Sequence, residues 1–192
     1  MSSEALNVLS YYAVLAHRGV RTLCEEGWAP LAPIFNRTQL DILANCIAVV
    51  QDRSIADYMG FKYMSDFHRK WLTDPAITDP EKKEAEAALA LMVKNLTAAD
   101  QMKANQLITE ANPRVYFFQP EYASTRAILD LSPHPIHNLY KMYSGVTHGN
   151  FSGKMLFDDD PVAEDINPRE HPKTSKRVMV TSSRLCDCDL EC

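Results

Sequence analysis

One set of polar residues follows a single face of the second predicted helix, over residues 37–52. Arg37, Asp41 and Asn45 are spaced by four residues within a segment that is otherwise strongly apolar. Because four residues make slightly more than one helical turn, the three side chains project from one face. Polar groups in a buried helix are costly unless paired. The stripe therefore either meets partners inside the fold or forms an Arg37–Asp41 ion pair that points to solvent.

The last predicted helix, about 136–148, carries a second polar face. Its members are Tyr140, Ser144 and His148, spaced by four residues, and the flanking His137 and Lys141. If the two helices meet, one patch holds a guanidinium, a carboxylate, hydroxyls and an imidazole. Such a set can bind an anion and transfer a proton near pH 7. The structural alternative is that His148 only stabilises the C-terminus of its helix.

Other chemistries compete for the same residues. His134, His137 and His148 precede an acidic run at 158–160, but no recognised zinc spacing appears. We therefore predict no metal and no other cofactor, with a metal-dependent helical-bundle enzyme as an alternative. A serine hydrolase with Ser144 as nucleophile is a further alternative, although the glycine-flanked nucleophile motif is absent.

Hydrophobic periodicity predicts an all-α fold, a compact bundle of five to seven helices. In the first helix, residues at alternating spacings of three and four line one face: Leu6, Leu9, Ala13, Ala16, Val20 and Leu23. Gly27, followed by Pro30 and Pro33, ends this helix, and Asn36 is the predicted N-cap of the second. Helices are predicted at 4–26, 37–52, 55–72, 79–95, 97–111, 123–130 and 136–148.

Capping residues predict where the fourth and fifth helices begin. Thr78 and Glu81 form a capping box before the fourth helix, and Thr97 repeats the arrangement for the fifth.

The third helix is rich in aromatic residues and is predicted to lie in the core or at a dimer interface. We predict a helical domain over residues 1–150. An irregular, acidic and proline-containing segment with a cysteine-rich tail follows over 151–192.

Composition narrows the range of partners. Twenty basic residues against twenty-five acidic ones give a net charge of −5. This balance argues against a broad nucleic-acid-binding face but allows a local basic cleft. No apolar run reaches the roughly 20 residues that span a bilayer, and the N-terminus lacks the basic region of a signal peptide. With an odd count of five cysteines, we predict a cytoplasmic protein without a membrane partner.

The residues also resemble a known type of protein. The run from His17 to Val50 resembles the beginning of an uncharacterised bacterial family of helical domains. In that family, a glycine-containing turn precedes an arginine followed four residues later by a carboxylate, matching Arg37 and Asp41. A helix with Tyr140, Ser144 and His148 matches a second family feature near the end of those proteins. The resemblance covers residues 6–150.

That family is in turn similar to the HEPN superfamily of nucleotide-binding helical bundles. The similarity implies a homodimer, a role in toxin–antitoxin or antiviral systems and, in many members, metal-independent ribonuclease activity. Those ribonucleases use an arginine shortly before a histidine. Here the nearest basic residue upstream of His148 is Lys141, so Arg37 would supply the guanidinium from another helix.

We therefore predict a HEPN-like domain that binds a nucleotide or an RNA-like anion. In an active enzyme, His148 would be the acid/base, Arg37 would hold the anion and Asp41 would orient them. Tyr140 and Ser144 would assist. The competing prediction is a non-catalytic interaction module that binds a protein partner and whose polar stripe is structural. A catalytic patch must be reachable from solvent, whereas a structural stripe should be sealed and fully paired.

Overall fold

The computed structural model describes residues 1–110, 112, 114–132 and 136–147, without the side chains of Pro30 and Val146. Within these ranges the chain is all-α and contains no strand, which confirms the predicted fold class. A 3-10 turn spans Ala29–Leu31. The helices are α1 Ser2–Glu25, α2 Ala32–Val50, α3 Ala56–Thr73, α4 Asp79–Lys94, α5 Ala98–Thr109, α6 Thr125–Leu129 and α7 His137–Thr147.

The end of α1 is determined by its glycine, as the sequence predicts. Gly27 has a φ of 78°, a left-handed conformation that favours glycine. Its N–H donates to the carbonyl of Cys24 at 3.3 Å, and the N–H of Trp28 donates to the carbonyl of Leu23 at 2.6 Å. This pair of bonds is the Schellman motif, which satisfies carbonyls that the helix end leaves free.

The predicted start of α2, at residue 37, is wrong by five residues. The helix begins at Ala32, so Asn36 is not its N-cap but lies inside the helix, fully buried. The sequence interpretation treated Pro33 as part of the preceding break. Proline is tolerated in the first turn of a helix, because the N–H it lacks would have no partner there.

The predicted starts of α4 and α5 are confirmed. The carboxylate of Glu81 accepts hydrogen bonds from the backbone N–H and the hydroxyl of Thr78, at 2.8 and 2.6 Å. At the start of α5, the hydroxyl oxygen of Thr97 accepts from the N–H of Asp100 at 3.3 Å. These bonds satisfy amide groups that have no partner within the helix.

The helices divide into two compact units, and α1 and α2 each contribute residues to both. Unit 1 comprises residues 1–8 and 48–124. In it, α3, α4 and α5 pack together around a buried apolar cluster: Phe61, Val93, Leu96 and Ala104. Phe117 and Phe118, in the segment between α5 and α6, are also buried.

Unit 2 comprises residues 9–47 and the chain from residue 125, described as far as 147. The apolar face of α1 within this unit is buried at Leu9, Ala13, Ala16 and Val20. This face therefore belongs to the core of unit 2. Four residues around α6 and α7 are also buried: Ile128 and Leu129 in α6, Ile136 just before α7 and Tyr143 within it.

Cys24 and Cys46 are buried within α1 and α2. The segment predicted to be irregular, 151–192, lies outside the described residues. No α-helix in the described ranges is both long and apolar enough to cross a membrane.

Candidate functional site

Arg37 and Tyr140 bring α2 and α7 together within unit 2. The guanidinium carbon of Arg37 lies 3.7 Å from the centroid of the Tyr140 ring, a cation–π contact. Arg37 also donates through Nη2 to the Tyr140 hydroxyl. On its other side, Arg37 Nη1 forms an ion pair with the carboxylate of Asp41, four residues later on α2. The sequence predicts all three residues, and the structure places them in one cluster.

Part of this cluster is accessible to solvent. The Asp41 side chain retains 44% of its exposure, whereas that of Arg37 retains 16% and its Nη1 atom is buried. Tyr140 and Ser144 are half-buried, and Lys141 is exposed. Because Asp41 and Tyr140 remain partly exposed, the cluster is not the sealed and fully paired stripe that a purely structural role predicts. It also differs from a freely solvated Arg37–Asp41 pair, because the guanidinium is held against an aromatic ring.

The remaining predicted site residues are Ser144 and His148. Ser144 is one turn beyond Tyr140, and its backbone carbonyl accepts from the Thr147 hydroxyl at 3.0 Å. His148, the predicted acid/base, lies outside the described residues. The structure therefore joins Arg37, Asp41 and Tyr140, and it places Ser144 one turn beyond Tyr140 on the same helix.

An unsatisfied amide lies next to this cluster along α2. The Asn36 side chain is fully buried, and neither its amide nitrogen nor its oxygen has a hydrogen-bond partner in the ranges that the structure describes. Such groups are rare in folded proteins, because each costs about 1–3 kcal/mol. The sequence analysis missed this residue because it assigned Asn36 to a helix cap.

A histidine and an aspartate form a second pair in unit 2 that the predicted site does not contain. Nδ1 of His137, the first residue of α7, lies 3.0 Å from Oδ1 of Asp130, just after α6. The side chains retain 35% and 47% of their exposure. The sequence places His137 on the polar face of α7. It gives no signal for Asp130, because no helical spacing relates residues on either side of a loop.

Unit 1 contains a polar stripe on α3 that the sequence analysis also missed. Tyr58, Lys62, Ser65 and Arg69 are spaced four, three and four residues apart, which places them on one helix face. Lys62 is 1% exposed, forms an ion pair with Glu121 and donates to a backbone carbonyl at 2.5 Å. The signal was present in this spacing, but the aromatic content of α3 obscured it.

The charges on α3 are well paired. The Arg69 guanidinium donates to the Ser65 hydroxyl at 3.2 Å, to the Lys62 carbonyl at 3.3 Å and to Asp66 at 3.2 Å. Burial lowers the pKa of Lys62 and of Arg69, because it disfavours their charged forms. Burial also raises the pKa of Tyr58, and nearby Glu121 adds to that effect. By the same criterion Lys62, Ser65 and Arg69 are structural, since they are buried and paired, whereas Tyr58 is half-buried.

Metal chemistry has no candidate site in the described ranges. No group of three or more histidine, cysteine, aspartate or glutamate side chains there could hold a metal ion. His134, His148 and the acidic residues 158–160, which the metal alternative needs, lie outside those ranges.

Comparison with known proteins adds no relative to this geometry. No family model matches the chain, and neither a curated protein nor a solved structure is significantly similar to it. The resemblance to the HEPN superfamily therefore stays a prediction.

Proposed function

We propose that this chain is a HEPN-like cytoplasmic domain that binds a nucleotide or RNA-like anion through Arg37 and Tyr140. The observation that carries the proposal is the Arg37 guanidinium, which lies against the Tyr140 ring beside the solvent-exposed Asp41. A guanidinium in a fixed orientation loses little side-chain entropy when it forms hydrogen bonds to a phosphate. An adjacent aromatic ring suits a base that stacks, as single-stranded RNA recognition often requires.

The charge balance of the cluster sets the expected affinity. Asp41 neutralises part of the Arg37 charge, while exposed Lys141 adds a cation on α7. The attraction is therefore local, in keeping with a chain of net charge −5. We expect modest affinity that depends on salt, and discrimination that depends on hydrogen bonds from Arg37.

Within this proposal each predicted site residue has a role. Arg37 holds the phosphate, Asp41 fixes the guanidinium and Tyr140 supplies a ring and a hydroxyl. Ser144 lies one turn beyond Tyr140 on α7, and His148 would be the acid/base if the domain is a metal-independent ribonuclease. A defence or toxin–antitoxin setting is the biological context that the HEPN resemblance implies.

The test compares Arg37→Ala with Arg21→Ala in a titration with a fluorescent single-stranded RNA. Arg21 is a matched control, because it also pairs with a carboxylate four residues later, Glu25, but on an exposed face of α1. A hydrogen bond to a charged group is worth about 1.5–3 kcal/mol. Loss of Arg37 should therefore weaken binding by at least about tenfold, whereas Arg21→Ala should bind like the wild type.

The thermal midpoint of each variant separates binding from folding. If Arg37→Ala remains folded and binds RNA as tightly as the wild type, the proposal is wrong. If Arg37→Ala has a lowered thermal midpoint, RNA binding is measured for Arg37→Lys instead. This variant keeps the positive charge but loses the planar donor geometry of the guanidinium. Unchanged RNA binding by a folded Arg37→Lys variant would then also contradict a role for the oriented guanidinium.

A protein-binding module, including a homodimer, is a second candidate function. Large apolar side chains are exposed near the junction of α1 and α2, namely Trp28, Leu31, Ile34 and Phe35. Tyr11 and Leu15 are exposed on α1. Neighbouring exposed apolar residues are typical of interaction surfaces. Light scattering tests the homodimer: the proposal expects twice the 21.7 kDa of one chain, and a monomer mass at high micromolar concentration contradicts it.

A further inference from the structure

The Asp130–His137 pair has the geometry of a positioned base. A carboxylate that bonds Nδ1 of a histidine fixes the ring orientation and leaves Nε2 to accept a proton. Here the Nδ1–Oδ1 distance is 3.0 Å, and the imidazole retains 35% of its exposure. A solvent-derived or substrate proton can therefore reach this histidine, unlike a histidine sealed in a core.

This pair lies beside the proposed anion site. His137 and Tyr140 are three residues apart on α7, so their Cβ atoms are neighbours at about 5–6 Å. Tyr140 in turn contacts Arg37. Asp130 is in direct contact with the imidazole. Lys141 lies four residues along α7, and the Arg37–Asp41 pair on α2 contacts Tyr140. Arg126, on α6, precedes Asp130 by one turn, and its carbonyl accepts from the Asp130 N–H at 3.0 Å.

From this arrangement we infer that His137, positioned by Asp130, is the general base for cleavage of RNA bound at Arg37 and Tyr140. The inference rests on the proposed function and replaces His148 in the role of base. Nε2 of His137 takes the proton of a ribose 2′-hydroxyl, whose oxygen forms a bond to the adjacent phosphorus. The bond from phosphorus to the 5′-oxygen breaks, and that oxygen takes a proton from water or an acidic group. The reaction involves no change of oxidation state, and the products are a 2′,3′-cyclic phosphate and a 5′-hydroxyl.

The roles of the three side chains differ. His137 is a catalytic residue, because it touches the proton that moves. Arg37 stabilises the charge that develops on the phosphate oxygens. Asp130 is a positioning residue that acts through His137, so its removal should lower kcat and leave KM unchanged.

The experiment measures binding and cleavage of the same RNA by the wild type and the His137→Gln variant. General-base catalysis contributes roughly 10²–10⁴-fold. His137→Gln should therefore cut the cleavage rate by at least about 100-fold, while RNA binding stays within about twofold. His17→Gln, a histidine variant on α1, should retain both activities. Asp130→Asn should lower kcat by roughly tenfold. Because Asp130 acts through His137, the variant with both Asp130→Asn and His137→Gln should be no slower than His137→Gln alone.

A second substrate separates a base from an acid. A ribonucleoside 3′-(4-nitrophenyl phosphate) has a leaving group that departs without protonation, yet its cleavage still needs a base. The cleavage rate of His137→Gln should stay low on this substrate. If His137 were instead the acid that protonates the leaving group, the rate of this variant would return towards that of the wild type. Recovery of His137→Gln would overturn its assignment as the base.

The remaining outcomes distinguish this inference from the proposed function. If the wild type binds RNA but does not cleave it, the inference fails and the binding function stands. Wild-type cleavage rates in a folded His137→Gln variant also overturn it. If the wild type neither binds nor cleaves RNA, both proposals fail.

Discussion

Removing the Glu121 carboxylate should destabilise unit 1 more than removing the buried charge of Lys62 itself. Lys62 is 1% exposed, and Glu121 retains 24% of its side-chain exposure. Breaking a fully buried ion pair from one side costs about 3–5 kcal/mol, because it leaves a charge buried without its partner. Glu121 is only partly buried, and the carbonyl of Gln119 still accepts from Lys62. We therefore expect a smaller cost of about 2 kcal/mol for Glu121→Gln.

The reverse change should be mild. Lys62→Met keeps most of the aliphatic stem and removes the need to bury an ammonium group, so its cost should stay below about 1 kcal/mol. In the Lys62→Met background, Glu121→Gln should have almost no further effect. Lys70→Met is the control on the same helix, because Lys70 forms an exposed pair with Asp66 and such pairs contribute about 0–1 kcal/mol.

The assay is urea unfolding followed by the fluorescence of Trp71 on α3, in a common Trp28→Phe background. The chain has one tryptophan in each unit, so this background makes the signal specific for unit 1. Shifts of the midpoint at constant slope give the changes in the free energy of unfolding. A cost for Lys62→Met equal to or larger than that for Glu121→Gln would refute the reasoning.

Three shorter predictions concern both units. The backbone N–H and hydroxyl of Ser2 lower the pKa of Asp57, so the stability that this carboxylate contributes is present above its ordinary pKa of 3.8 and lost as pH falls below it. The difference in thermal midpoint between wild type and Asp57→Asn should therefore shrink from pH 7 to pH 3, and a constant difference would contradict this. Gly19→Ala places a Cβ 2.7 Å from the Phe35 ring and should cost about 1–3 kcal/mol; calorimetry showing the stabilisation usual for alanine in a helix would disprove the close contact. Asn36→Leu should raise the free energy of unfolding by about 1–2 kcal/mol by removing two unsatisfied polar groups, and a clear destabilisation would reveal a partner for the amide.

Local signals in the sequence predict most of the fold. Helix ends that depend on one or two adjacent side chains, such as Gly27 after α1 and Thr78 with Glu81 before α4, are confirmed. The start of α2 is the exception. Proline both breaks a helix and begins one, and Asn36 fits a cap as well as a buried position. Only the packing of the α2 N-terminal turn separates these alternatives.

The site is predictable where it depends on helical periodicity and unpredictable where it depends on loops. Arg37 and Asp41 follow from their spacing, and Tyr140 follows from its position on the polar face of α7. Asp130 could not be found this way, because a loop brings it to His137. Lys62 is a similar case, since its partner Glu121 comes from a loop 59 residues away. Partners that tertiary packing supplies leave no local pattern.

The most direct test of the proposed function is the salt dependence of RNA binding. For single strands, the slope of the logarithm of the binding constant against the logarithm of salt concentration changes by about 0.7 for each phosphate contact. If Arg37 contacts a phosphate, Arg37→Met should make this slope shallower by about 0.7, while Arg21→Met should leave it unchanged. An identical slope for wild type and a folded Arg37→Met variant would show that Arg37 does not neutralise a phosphate, and the account of the anion site would be wrong.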